Sequence, residues 1–321
     1  MKNQSFRLWG ALLLTTLLLS ACTGSLALYQ QSLKAFNQGA RLEIKRDFAP
    51  DEPLPPSVAP TAELYPAPDA AEPEAAKTPE QYFVQAYELA AKATKGEDKL
   101  RENNALGSAL TLAALSAWKT GQADEAARLA GQAQLALNQE PASEAKVRDL
   151  AVSKALPGII ALGRIRDTLL AMRKIAAETI EGLRVQEFPA REAAFRKMKA
   201  TYVNNFILDE QGASSLIPAI TLLNQAMIGA EDHPDVVRYL VICQLSGLAN
   251  WLSAIETISK SFGRPLGIFE RIPTEAVWYN EQFPKFRTIR DARLRHLEQL
   301  CTMPETAKLP PFWRMRLGAG G

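Results

Sequence analysis

The chain has 321 residues, 47% of them hydrophobic and 22% charged, and carries a formal net charge of +2. That length allows a sizeable core in one large or two modest domains, and the near balance of charge excludes general nucleic-acid binding, which draws on a strongly basic face. Two histidines, His233 and His296, and three cysteines leave a Cys/His zinc site almost no ligands, so neither a metal nor a cofactor is expected.

The N-terminus carries the most specific pattern. Lys2 and Arg7 give a positive start, and Leu8 to Leu19 is almost wholly apolar. The run is short for a permanent membrane span and suits the core of a secretory signal. It ends in Leu19-Ser20-Ala21-Cys22, small residues before a thiol. This resembles the lipobox of bacterial lipoproteins. The resemblance implies that residues 1–21 are removed and that Cys22 becomes a lipid-modified N-terminus. Three acyl chains anchor durably, since each buried methylene contributes about 0.8 kcal/mol. It also implies that the membrane is a partner through Cys22 and that the chain resides in the cell envelope. Because Thr23 rather than Asp follows the cysteine, it favours the outer membrane, facing the periplasm, in a Gram-negative cell. From the residues alone, an ordinary signal peptide with a chance cysteine, or an N-terminal anchor helix, are the other readings.

Residues 22–46 comprise the lipidated start and a short helix expected over 26–45, where Leu26, Leu28, Leu33, Phe36 and Leu42 form an incomplete apolar stripe. Composition then shifts. Asp47 to Glu80 contains nine prolines and eight acidic residues against one lysine. Proline fixes φ and removes backbone donors, and the acids repel one another, so residues 47–79 read as a disordered linker. It serves either as a spacer that sets the body away from the membrane or as a docking segment.

The body, residues 80–317, reads as helical almost throughout. Thr78-Pro79-Glu80 is a helix start, with Thr as cap and Pro at the first position; Tyr82, Phe83, Ala86, Leu89, Ala90 and Ala93 follow at helical spacing. Helices are expected at 98–119, 122–138, 143–155, 158–183, 188–207, 214–230, 234–262 and 280–301. The segment 158–183 has the clearest apolar stripe, from Leu162 and Ile165 to Ile180 and Leu183. Residues 239–255 carry no charge and read as a buried central helix. No stretch alternates as a strand does. The fold class is all-α, an antiparallel helical bundle or solenoid.

Between residues 105 and 141, Ala113-Ala114-Leu115 and Ala117-Trp118 precede Gly121-Gln122-Ala123-Asp124-Glu125-Ala126, with Ala130 and Ala133 beyond. This resembles a tetratricopeptide repeat, in which two antiparallel helices meet at a tight turn and small residues sit where they approach. Leu110 stands where that family has a tryptophan, and the terminating proline is displaced to Pro141. Such repeats need at least three units to bury a core, and one is recognisable. A plain helix-turn-helix packing device is the other reading.

No signature of a nucleophile elbow, a P-loop or a zinc protease occurs, so no catalytic residue is named. Asp124/Glu125, Asp209/Glu210 and Glu231/Asp232 are adjacent acids near helix ends, where they complement the dipole. Cys243 and Cys301 could pair in an oxidising compartment, or Cys243 could be a small buried residue. Pro284 to Gly321 carries eight basic and three acidic residues, among them Arg290 and Arg293. With Trp251, Trp278 and Tyr279 these two arginines form a candidate binding surface; a solvated helix face and a packed aromatic core are the plainer alternatives. The resulting expectation is a membrane-anchored, non-catalytic helical scaffold for another envelope protein. The alternative is a solute-binding or transport-accessory lipoprotein holding a small ligand between helices.

Overall fold

A computed structural model describes residues 24–43, 64–65, 77–184 and 216–263, with scattered positions in 189–196 and 288–304. Among the described residues every regular element is helical and no strand occurs. The elements are α1 (24–43), α2 (Pro79–Ala93), a 3₁₀ turn (Thr94–Gly96), α3 (Glu97–Glu102), α4 (Leu106–Lys119), α5 (Ala123–Gln139), α6 (Glu144–Arg184), α7 (Leu216–Met227) and α8 (Pro234–Gly263). The chain divides into two compact units, Met1–Glu43 with Thr61–Leu156 and Ile44–Pro60 with Pro157–Gly321. The division falls inside the expected body of 80–317. Among the described residues, no helix is long and apolar enough to cross a membrane.

In the first unit, α1 is part of the core. Ala35, Phe36 and Ala40 are buried. The Ser32 hydroxyl donates to the Ala86 carbonyl at 2.7 Å, the rings of Phe36 and Phe83 lie 5.4 Å apart, and Gly39 lies against Tyr82 and Phe83. These contacts run in opposite chain directions, so α1 and α2 pack antiparallel. The apolar stripe of α1 is thus buried against α2, while most of the expected linker lies outside the described residues. Within the expected linker, Leu64 and Tyr65 are likewise buried, so that segment is pinned to the first unit at this point, which we call the strap.

Helix α2 starts as its sequence dictates. The Thr78 side chain accepts from the Gln81 backbone and Gln81 reaches back to the Thr78 backbone at 2.9 Å, a complete capping box with Pro79 following the cap. The helix expected over 98–119 is two helices. Asn104 takes a left-handed φ of 51°, which asparagine tolerates. The Ala105 and Asn104 amides then cap the carbonyls of Leu100 and Arg101, a Schellman stop that separates α3 from α4. Gly121, with φ 81°, makes the same stop at the end of α4: Gln122 donates to the Ala117 carbonyl at 2.9 Å and Gly121 to that of Trp118 at 3.0 Å. The chain reverses there into α5. Ala114, Ala126 and Ala133 are buried between helices of this hairpin, and a Cβ on Gly107 would meet Leu137 at 2.4 Å.

The helices expected at 143–155 and 158–183 are one, with Pro157 inside it. Proline cannot donate to the carbonyl four residues earlier. That carbonyl, of Ser153, instead accepts from the Gln134 side chain of α5 at 3.1 Å, so the break in the helical ladder is satisfied by the neighbouring helix.

In the second unit, α7 and α8 pack together, and Gln244 donates to Asn224 at 2.8 Å. Gly158 lies against Leu223 and Ala219, and Gly247 against Leu162. Tyr239 to Leu248 are buried, in agreement with a central helix. His233 ends the preceding turn and its carbonyl accepts the amides of Val236 and Val237, opening α8 ahead of Pro234.

The account of α1 is open to a direct test. Phe36→Ala removes a fully buried ring and is expected to lower the unfolding free energy in urea by about 3–5 kcal/mol. A helix merely tethered beside the body would leave the transition unchanged.

Candidate functional site

Two features of the first unit stand out, a polar cluster around one buried carboxylate and an open groove. The cluster centres on Asp149 of α6, whose side chain is 0% exposed. Its Oδ1 accepts from the Tyr65 hydroxyl at 2.8 Å and from Arg148 Nε at 2.8 Å. Its Oδ2 accepts from Arg148 Nη2 at 3.1 Å and from the Ser108 hydroxyl of α4. Ser108 has a single proton, which Asp149 receives, so the Tyr29 hydroxyl of α1 completes the set by hydrogen-bonding with Ser108. The Arg148 guanidinium also lies 4.6 Å above the Tyr65 ring, and the Phe36 ring meets that ring edge-on at 6.3 Å. One carboxylate thus ties together α1, the strap, α4 and α6.

The cluster shifts its tyrosines. Burial, reinforced by the negative charge of Asp149, pushes Tyr29 up to about 12 from an ordinary value of 10.0. The same causes hold Tyr65 well above its ordinary value, the hydrogen bond to Asp149 adding to them. Both phenols are therefore neutral donors. With both carboxylate oxygens committed and no exposure, the arrangement is a structural joint rather than an acid–base centre.

The groove runs along the other side of α5. A cavity of about 360 Å³ is lined by Thr94, Glu97, Arg101, Leu106, Leu110, Arg128, Leu129, Gln132, Leu135, Ala136 and Gln139. A second, of about 220 Å³, shares Arg101, Leu106, Ala136 and Gln139 and adds Asn104 and Glu140. Leu106, Leu110, Leu129 and Ala136 are buried and form the floor, while Leu135 stands 68% exposed beside it. The charges around it are matched. Arg101 donates to Gln139 at 2.7 Å and pairs with Glu97 at 2.5 Å; Arg128 pairs with Glu125 at 2.6 Å and donates to Gln132 at 3.0 Å. The hydrogen bonds from Arg128 hold the Glu125 carboxyl below its ordinary range. A further cavity of about 280 Å³ lies between α1 and α2, beside Gln31, Lys34, Tyr82 and Gln85.

The residues singled out from sequence fall differently. Cys22 lies outside the described residues. Cys243 is buried on α8, and Cys301 lies outside, so the pairing falls there too. Trp251 belongs to α8, but its side chain, with Trp278, Tyr279, Arg290 and Arg293, lies outside the described residues. His233 and His296 are half-buried. Among the described residues no group of three His, Cys, Asp or Glu is placed to hold a metal ion. Sequence reasoning missed Tyr29, Tyr65, Ser108, Asp149 and the groove. One signal was available: Leu64-Tyr65 is a large apolar pair, with the sole aromatic residue, in the proline- and acid-rich stretch 49–81. No family model, no characterised protein and no solved structure matches this chain.

The cluster has a pH signature. A tyrosine whose folded pKa is raised keeps its proton after the unfolded chain has released its own. The stability it lends is complete below pH 10 and is lost as pH rises from there towards 12. Urea midpoints are expected to fall through that window, with a shallower slope in the Tyr29→Phe, Tyr65→Phe double variant. Equal slopes would contradict the assignment.

Proposed function

We propose that this chain is a membrane-anchored envelope lipoprotein that holds a partner protein on a helical surface and catalyses no reaction itself. The observation that carries the reading is the open groove on α3 and α5, with its apolar floor and self-neutralised polar rim. Layers of antiparallel helices present such grooves to peptides and partner helices. Covering an exposed leucine such as Leu135 contributes about 1.5–3 kcal/mol, and arginines already held by Glu97 and Glu125 lose little further side-chain freedom on binding.

The position of the anchor supports the same reading. Helix α1 begins at residue 24, just after Cys22, so a lipid on Cys22 would hold the first unit within about 7 Å of chain from the bilayer surface. Ser25 lies against Gly96, at the end of the unit where Thr94, Glu97 and Arg101 line the groove. A partner in this groove would therefore be held close to the membrane.

The test compares the tagged, lipidated wild type with Leu135→Glu and Cys22→Ala after crosslinking in envelopes, by affinity purification and mass spectrometry. One envelope protein enriched with the wild type and lost with both variants is the expected result. Enrichment that survives Leu135→Glu would overturn the groove, and no enrichment together with a co-purifying small molecule would overturn the scaffold in favour of solute binding.

A further inference from the structure

The contact made by Tyr65 has the character of a ligand in a site. Each part of the side chain is met by a different group: the hydroxyl by the Asp149 carboxylate at 2.8 Å, the ring face by the Arg148 guanidinium at 4.6 Å, and the ring edge by Phe36 at 6.3 Å. These three groups belong to α1 and α6, elements held in place by their own packing. The residue that fills the site comes from a stretch whose prolines forbid a continuous helix. Leu64 and Tyr65 form a turn and a bend, and Pro66 follows directly. Leu64 is the neighbour buried with Tyr65.

We infer that the first unit contains a tyrosine-recognition site, formed by Phe36, Arg148 and Asp149, which the strap fills in cis and which accepts a tyrosine-bearing peptide in trans when the strap leaves it. The chemistry sets the selectivity. Asp149 needs a donor, so the site takes tyrosine over phenylalanine. A phosphate on the phenol would meet the carboxylate, so it rejects phosphotyrosine. The strap is part of the same chain, so the seated Tyr65 competes intramolecularly with any free peptide. A free peptide therefore binds weakly while the strap is seated. Its apparent affinity rises by the factor by which the open state is increased. This places a second recognition site in the unit, separate from the groove on α3 and α5, and gives the strap the role of an autoinhibitory plug.

The experiment measures fluorescence anisotropy of a labelled synthetic peptide of residues 58–70 with the full chain. Tyr65→Ala in the protein is expected to bind it at least about tenfold more tightly than the wild type does. The peptide carrying phosphotyrosine, or phenylalanine in place of Tyr65, is expected to lose that gain. Adding Asp149→Asn to the Tyr65→Ala chain is expected to weaken binding of the tyrosine peptide. Equal affinity for wild type and Tyr65→Ala, with the variant still melting cooperatively, overturns the proposal. If Tyr65→Ala does not melt cooperatively, Tyr65→Phe decides. It keeps the ring in place and loses the hydrogen bond to Asp149, so the peptide must displace it more readily than the native strap. Affinity no better than that of the wild type then overturns the proposal.

Discussion

A carboxylate with no exposure in a helical core must have its oxygens satisfied, because an ion left buried and unpaired costs about 3–5 kcal/mol, a large share of a domain's stability. Asp149 meets this requirement through its neighbour Arg148 and through groups from distant parts of the chain. Ser108 comes from α4, Tyr65 from the strap, Arg148 from its own helix, and Tyr29 joins through Ser108. The order of the first unit follows from that demand. A segment otherwise rich in proline and acid is fixed at Leu64 and Tyr65, and the helix beside the proposed anchor is held against α4. The Lys119–Glu43 pair, at 2.5 Å and nearly buried, joins the far ends of α4 and α1. Polar contacts thus hold α1 at both ends of a face whose middle is the apolar packing of Phe36 on Phe83.

This arrangement changes what an anchor at Cys22 would do. With α1 inside the core, an N-terminus anchored at Cys22 would end directly in folded protein. The open groove on α3 and α5 and the proposed tyrosine site at Asp149 lie in the same unit, which such an anchor would hold at the membrane. They suit different partners: the first offers exposed leucine and mixed polar groups, the second a single buried acceptor matched to one side chain.

Local rules were legible where they act alone. Thr78 with Pro79 and the uncharged run of α8 followed from spacing and residue type, while the reversal at Gly121 and the small residues Ala114, Ala126 and Ala133 were expected from the resemblance to a helix-turn-helix repeat. The errors came where distant parts of the chain decide. Asn104 could stop a helix or ride within one, and nothing local distinguishes the two. Pro157 reads as a helix boundary unless Gln134, on another helix, is there to take up the Ser153 carbonyl. Asp149 carried no signal of its own, because two of its partners stand 41 and 84 residues away. Tyr65 interrupts its proline-rich stretch as an aromatic residue, but it was passed over because nothing local names its partner. The aromatic and basic surface expected from Trp251, Trp278, Tyr279, Arg290 and Arg293 falls outside the described residues and carries no weight in the account.

The central claim is that α1 and the strap are integral to the first unit. Amide hydrogen exchange on the wild-type chain tests it most directly, by comparing residues 30–40 and the strap with α4. The account predicts that the α1 amides are protected to the same degree as those of α4, and that exchange slows locally around Leu64 and Tyr65 relative to the proline-rich stretches on either side. Exchange of α1 at the rate of an isolated helix, with α4 still protected, would contradict it.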